Sequence, residues 1–287
     1  MTRAELKRGG KKPPSIARKR HRNEFNKKAV LVAAAIIFLL SIILYGLYRP
    51  EVNIKAIEVN GTHVLRLADI EKAVENNISG KYFFLVPKRS AFFYPGGEIA
   101  ALLKKEFKRI DTLNVARVGF TKLVINLSER PERYLWCGQD IIKERTPDDE
   151  CYFIDSGGYI FSKAPYYSGN IFLEFYGPLS EGDNSNPAGG SSLSEDSFNK
   201  LMAFVNGLDH FNLIPVKILI KADGDYELSL PISGKILISG KNDLEKNIEY
   251  LKSTLGADPL KIKMENNRNT LDYLDLRFGN KVFFKFK

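Results

Sequence analysis

The sequence has few of the residues from which enzymes and metal sites are commonly built. Its three histidines, His21, His63 and His210, stand far apart, and none has an acidic or cysteine companion at the spacing of a metal-ligand set. No nucleophile elbow or dinucleotide fingerprint is present, and Gly80-Lys81 lacks the other residues of a phosphate-binding loop. We therefore predict a protein that is not an enzyme, with no catalytic, cofactor or metal site.

A basic character is also missing from most of the chain. Residues 1–28 contain eleven lysines and arginines and two glutamates, which accounts for the whole net charge of +9, so the remaining residues are neutral in sum. A nucleic-acid-binding body usually carries a basic stripe of its own. Since none is visible, the sequence argues against nucleic acid as a partner.

One long run lacks charge altogether. Residues 29–48, AVLVAAAIIFLLSIILYGLY, are enough for one helix across a bilayer. Two lysines precede the run, and Tyr45 and Tyr48 lie at its far end, where interfacial aromatic residues are expected. A cleaved signal peptide is the alternative, but YGLYRPEV offers no small-residue cleavage site. We predict a cytoplasmic basic tail at 1–28, a transmembrane helix at 29–48 and an extracytoplasmic remainder.

The residues beyond this run predict two domains of the α+β class. Residues 52–130 show the order β-α-α-β-β, with Ile70, Val74 and Ile78 at helical spacing in the first helix. Residues 131–287 contain many short strands, which predict a mainly antiparallel β domain with helices on one face. Within it, residues 177–197 are rich in Gly, Ser and Asn and predict a flexible loop.

Cysteine is nearly absent, and the two that occur lie close together in the sequence. Cys137 and Cys151 lie at matching ends of two predicted adjacent strands, on the side predicted to be outside the cytoplasm. Two such residues suit a disulfide. The alternative is a pair of free thiols in a compartment without an oxidising catalyst.

The run LDYLDLRFGNKVFFKFK, residues 271–287, predicts a hairpin around Gly279. A two-residue turn would place the apolar residues of the two strands on opposite faces, whereas a three-residue turn unites them. We therefore predict the longer turn. The predicted buried face consists of Leu274, Leu276, Phe278, Val282, Phe284 and Phe286.

The other face of this hairpin is predicted to carry Asp275 opposite Lys285 and Arg277 opposite Phe283. Phe283 is the residue that this register leaves unburied. The second strand is expected at an edge of the sheet, where an exposed strand can pair with another chain. The alternative is an idle edge, guarded by its alternating lysines.

The order of these segments resembles that of the FtsQ/DivIB family, the single-pass bacterial cell-division proteins. A basic tail and one anchor precede a unit that resembles the POTRA domain through IKAIEVNG, GKYFF and VARVGFTKLVINLSERPERYLW. The β-rich module that follows is similar to the family pattern in YLWC, CYFIDSGGYIF and LDYLDLRFGNKVFFKF. The insertion at 177–197 and the paired cysteines depart from that pattern.

This resemblance implies a non-enzymatic scaffold of the bacterial inner membrane at the division septum. Family members recruit FtsB-like and FtsL-like single-pass proteins, partly by strand addition at the far edge of the β domain. The alternative is a POTRA-type secretion or envelope-assembly component, which would need tandem POTRA units or a following barrel. The partner-binding positions implied by the resemblance are Asp275, Leu276, Arg277, Phe278, Val282, Phe283, Phe284, Lys285 and Phe286.

Overall fold

The computed structural model describes residues 16–232, 234–255 and 271–287. Its first element is helix α1, Ile16–Leu47, whose segment Asn26–Leu47 is long and apolar enough to cross a membrane. At 1.5 Å per residue these 22 residues extend about 33 Å, against a hydrocarbon core of about 30 Å. The predicted apolar helix is therefore present, and it begins well before the predicted residue 29.

Contacts along the chain define two compact units. The first comprises residues 16–60, 67–99 and 115–125, and the second comprises 61–66, 100–114 and the described residues from 126 onward. The bounds that the sequence suggests, 52–130 and 131–287, stay a prediction.

After α1 and a short 3-10 helix, Pro50–Val52, seven α-helices and strands precede residue 130, in the predicted order β-α-α-β-β with one small hairpin added. They are β1 (Ala56–Asn60), α2 (Leu67–Ile78), β2 (Lys81–Tyr82), β3 (Val86–Pro87), α3 (Gly96–Glu106), β4 (Ile110–Val118) and β5 (Lys122–Glu129). Strands β1, β5 and β4 form a sheet in that order, and β2 pairs with β3. Helix α2 packs on β1 and buries Ile70, Val74 and Ile78, the residues whose spacing predicted it.

A nine-stranded sheet dominates the second unit. Its strands are β6 (Tyr134–Trp136), β7 (Cys151–Ile154), β8 (Ile160–Ala164), β9 (Glu174–Tyr176), β12 (Lys217–Ile220), β13 (Asp225–Ser229), β14 (Lys235–Ser239), β15 (Leu271–Phe278) and β16 (Lys281–Phe286). They lie in the order β16-β15-β14-β13-β12-β9-β6-β7-β8. Only the pairs β14-β15, β12-β9 and β6-β9 are parallel, so the mainly antiparallel sheet is confirmed.

Two helices share one core with this sheet. Helix α4, Glu195–Leu208, begins at Ser194, whose side chain accepts a hydrogen bond from the Ser197 backbone, and acidic residues occupy its first turn. Helix α5, Leu244–Leu255, packs against α4. Both bury apolar residues in the cluster that contains Ile236, Ile238 and Leu274 of the sheet. Because alternate residues of these strands point away from that cluster, the helices cover one face, as predicted.

The segment 177–197 is folded into a hairpin, although it is predicted to be a flexible loop. Strands β10, Glu181–Asp183, and β11, Asn186–Ser191, pair antiparallel, and Ser191 forms a further bridge with Tyr159. The misleading signal is the glycine content. A Cβ atom at position 190 would lie 2.3 Å from the Glu181 backbone oxygen, so glycine here permits close strand approach and does not indicate a loop.

Candidate partner-binding edge

Strand β16 lies at one end of the nine-stranded sheet, and among the strands that the structure describes it pairs with β15 alone. One row of its backbone N–H and C=O groups therefore has no strand partner within the described part of the chain. Such a row can accept an extended segment of another protein as an additional strand. Among the described strands, β16 thus takes the edge position that the sequence predicted.

The turn of this hairpin differs from the prediction. Phe278 pairs with Lys281 across Gly279-Asn280, so the turn has two residues and the predicted three-residue turn is wrong. Gly279 supplies the positive φ of 65° that a tight turn needs. Between Asp275 and Phe278 the strand β15 then inserts one extra residue as a bulge. The bulge returns Leu274 and Phe284 to the same face, which the two-residue turn alone would have separated, but with cross-strand partners that differ from the predicted ones.

The faces of β16 are nevertheless as predicted. Val282, Phe284 and Phe286 pack as partly buried residues against the core beneath the helices. Phe283 points to the opposite face and is 47% exposed. On this strand the period-2 pattern therefore predicted both the buried and the exposed side correctly.

Because of the bulge, the residues that lie opposite each other across the hairpin differ from the predicted pairs. Asp275 lies opposite Phe283, and Lys285 lies opposite Tyr273, where the predicted register had Arg277 facing Phe283 and Asp275 facing Lys285. Phe278, predicted to be buried, is 57% exposed. Its ring meets the Phe283 ring edge-on, with the centroids 5.4 Å apart. The outer face therefore carries two phenylalanine rings in contact, where one was predicted.

Arg277 is held by two carboxylates. Its Nε and Nη2 donate to the carboxylate of Asp275, at 2.9 and 2.7 Å, and its Nη1 donates to Asp225 Oδ2 at 3.0 Å. Hydrogen bonds with Asp275 and Asp225 raise the pKa of Arg277 above its ordinary, already high value. Burial raises the pKa of Asp225, but hydrogen bonds from Ser239 and Arg277 outweigh that effect and hold it below its ordinary value. The guanidinium therefore links β15 to β13 beneath the exposed edge.

A groove of about 750 Å³ lies beside these residues, on the face of the sheet away from the helices. Its walls combine aromatic rings with charged groups. Lys235 in the groove pairs with Glu227 at 3.1 Å. A partner strand that presents both apolar and acidic side chains on the face toward the groove would match this lining. The groove is lined by Lys235, Leu237, Tyr273, Asp275, Arg277, Phe278, Lys281 and Phe283.

The nine residues predicted from the sequence thus occupy different environments. Asp275, Arg277, Phe278 and Phe283 line the groove. Leu276 is 1% exposed, so its side chain belongs to the core and cannot reach a partner. Lys285, on the same face of β16 as Phe283, pairs with Asp272 at 3.0 Å. The remaining three predicted residues, Val282, Phe284 and Phe286, line the core side of β16.

Sequence reasoning missed the contribution of β14, of one further residue of β15 and of Lys281 on β16. Lys235 and Leu237 lie two apart on β14, and Tyr273 lies across from Lys235 on β15. Their alternation with Ile236 and Leu274 was visible in the sequence. Only the parallel pairing of β14 with β15 brings them to the same place, and that pairing spans a long separation in the chain.

The predicted disulfide is present. Cys137 and Cys151 are joined with an S–S distance of 2.04 Å, and both are buried. The bond connects the end of β6 with the start of β7, near the opposite end of the sheet from β16. Within the described ranges, no group of three or more His, Cys, Asp or Glu side chains is placed to hold a metal ion.

Comparison with known proteins does not assign the chain to a family. No family model matches the sequence, and no curated protein matches it either. The resemblance to FtsQ/DivIB therefore depends on the order of the sequence motifs alone.

Proposed function

We propose that this chain is a non-enzymatic scaffold of the bacterial inner membrane that recruits single-pass division proteins to the septum, in the manner of FtsQ/DivIB proteins. The observation that carries the proposal is strand β16, which lies beside an aromatic and charged groove and pairs with β15 alone among the described strands. FtsB-like and FtsL-like proteins are the proposed partners.

The proposed recognition divides between backbone and side chains. The partner adds a strand to β16, and its alternate side chains contact Phe278 and Phe283 in the groove. Backbone pairing supplies affinity with little sequence preference, whereas the aromatic pair and the cations select a segment with apolar and acidic residues. Lys281 on β16, which lines the groove, favours such a segment over a basic one.

The proposed topology follows from α1 and the charges before it. The basic residues of 1–28 remain in the cytoplasm, α1 crosses the membrane, and residues from about 50 lie outside, which is where the POTRA-like domain and the β domain belong. A reporter that is active only outside the cytoplasm, fused after Lys287, is expected to be active. A silent reporter on a well-expressed fusion would contradict this topology.

The function is tested in dividing cells with a photo-crosslinking residue in place of Phe283. A fluorescent fusion of the chain is expected at the septum, and the probe at position 283 is expected to crosslink to a small single-pass protein. The matched control carries the same probe in place of Ile171, which is also apolar and 68% exposed. An even distribution along the membrane, or equal crosslinking from both positions, would refute the proposal.

A further inference from the structure

The hairpin β2-β3 exposes an unusual amount of apolar side chain at its tip. Phe83 and Phe84 are 89% and 93% exposed, and Leu85 is 57% exposed. Three consecutive apolar residues at a loop tip do not contribute to a core. Contiguous exposed apolar residues of this kind commonly mark a surface that contacts a partner or a membrane.

The backbone of this tip is also unfavourable for the residues it carries. Phe83 has φ 47° and Phe84 has φ 62°, the left-handed region in which a side chain crowds its own backbone. Glycine or asparagine would fill such a turn more readily. Local folding therefore does not explain why two phenylalanines occur here, whereas a contact made outside the hairpin does.

The position of the tip indicates what that contact is. Tyr48 directly follows α1, and its Oη donates to the Leu85 carbonyl oxygen at 2.8 Å. The Lys81 Nζ lies 5.1 Å from the centre of the Tyr48 ring. The tip is thereby held beside the end of the apolar helix, at the depth where interfacial aromatic residues and lysines are found.

The connection between α1 and this hairpin is well braced. Asn53 donates from Nδ2 to the carbonyl oxygens of Leu47 and Arg49, at 2.9 and 2.6 Å, and so satisfies acceptors at the helix end. Backbone bonds join Ala91 N to Val52 O at 2.8 Å and Ile54 N to Arg89 O at 2.9 Å. The tip cannot swing away from the helix end without breaking these bonds.

We infer that the tip Phe83-Phe84-Leu85 inserts into the outer surface of the bilayer that α1 crosses, as a second membrane contact of the first unit. This inference rests on the membrane anchorage in the proposed function. Apolar side chains at this level enter the boundary of headgroups and acyl chains to a depth of about 5–10 Å. The ammonium of Lys81 stays at the headgroups, where it can meet lipid phosphate. Two contacts hold the first unit in one orientation above the membrane.

The test uses the full chain in lipid nanodiscs whose acyl chains carry bromine, which quenches nearby indole fluorescence. Three single variants are compared, Phe84→Trp, Tyr45→Trp and Phe283→Trp, at positions that are all exposed. The single native tryptophan, Trp136, is 3% exposed and gives the same background in each. Melting temperatures equal to that of the unaltered chain establish that the variants are folded.

The inference requires that the emission added by Phe84→Trp is shifted to the blue and largely lost in brominated discs, while that of Phe283→Trp is retained. The Tyr45→Trp variant, with its probe in α1, distinguishes a failure of tip insertion from a failure of the membrane anchorage. If its emission is quenched and that of Phe84→Trp is not, the tip does not enter the lipid and the inference is wrong. If neither is quenched, the membrane anchor of the proposed function is wrong as well. If the Phe84→Trp emission shifts to the blue only after a membrane-protein extract is added and is not lost in brominated discs, the tip contacts a protein partner and the lipid assignment is overturned.

Discussion

The two edge strands of the nine-stranded sheet differ in whether a further strand of the described chain packs against them. At one end, β11 packs against β8, and Ser191 bridges to Tyr159. At the other end, β16 has no second strand neighbour among the described residues, and it presents the exposed ring of Phe283. Unpaired strand edges invite association with other chains, so proteins usually cover or guard them. Among the described residues one edge is therefore covered by the chain's own hairpin and the other is not, and this difference is the basis for proposing the second edge as a partner site.

The two edges also differ in what supports them. The strands next to β8 are tied by the disulfide between Cys137 and Cys151. The strands next to β16 are tied by a charge cluster, in which Arg277 links Asp275 to Asp225. A covalent tie holds strands together whatever their surroundings, whereas a charge cluster at the surface also shapes the potential that a partner meets.

The largest effect is expected from the disulfide. Replacing both Cys137 and Cys151 by serine opens a segment with a sequence separation of 14. We expect the free energy of unfolding of the second unit to fall by about 3 kcal/mol in the chain-entropy model. Denaturant titration in detergent measures the change, with reduced unaltered protein as the control. A titration midpoint that is unaltered in both samples would contradict a stabilising disulfide.

The charge cluster beneath β16 is expected to contribute almost as much. Arg277→Ala leaves the carboxylate of Asp275, which is 6% exposed, buried without its cation. Because the guanidinium is itself partly exposed, we expect a loss of about 2–3 kcal/mol in unfolding free energy. Lys163→Ala at the covered edge removes a solvent-exposed pair with Glu150 and is expected to change nothing measurable. An equal loss of unfolding free energy in Arg277→Ala and Lys163→Ala would show that the two edges do not differ in electrostatic support.

A third effect concerns binding and not stability. Phe283→Ala truncates an exposed ring of the groove, so we expect partner affinity to fall by about 2 kcal/mol, roughly thirtyfold, because aromatic anchors dominate interfaces. The melting temperature should stay the same, since the ring makes no core contact. Ile171→Ala, at another exposed apolar residue, is the control and should bind normally. Unfolding of Phe283→Ala would mean that the faces of β16 are reversed.

The smallest effect is expected at the covering hairpin. A Cβ atom at position 190 would lie 2.3 Å from the Glu181 oxygen, so Gly190→Ala should force β10 and β11 apart at a cost of about 1 kcal/mol. The amides of β8 should then exchange hydrogen faster. Gly157→Ala is the control, because its nearest neighbour atom would be 3.5 Å away. Unchanged exchange in β8 with an opened hairpin would show that β11 does not protect this edge.

Much of the fold could be predicted from the sequence because its elements carry clear periodicity. Ile70, Val74 and Ile78 repeat at helical spacing, and Val282, Phe284 and Phe286 repeat at strand spacing. Both sets are buried or partly buried where expected. Periodicity reports which face of an element is covered, and it does so without knowledge of the neighbours.

The details of the site could not be predicted in the same way. The choice of a three-residue turn assumed an unbroken ladder between β15 and β16, and a bulge next to Arg277 breaks that assumption. A bulge leaves little trace in the spacing of apolar residues, so Phe278 was assigned to the wrong face. The groove was missed because its walls come from strands that pair across a long stretch of chain.

The parallel pairing of β14 with β15 has a consequence for assembly. Helix α5 and the residues that follow it separate β14 from β15 in the sequence. Pairing of the two strands therefore closes a long loop, and we expect it to form late. The antiparallel neighbours β12, β13 and β14 are joined by short turns and can form early. β16 has its place only after β15 has been added. The strand of the proposed partner would therefore find its acceptor only on a chain whose sheet is complete, so that its capture would report the end of folding.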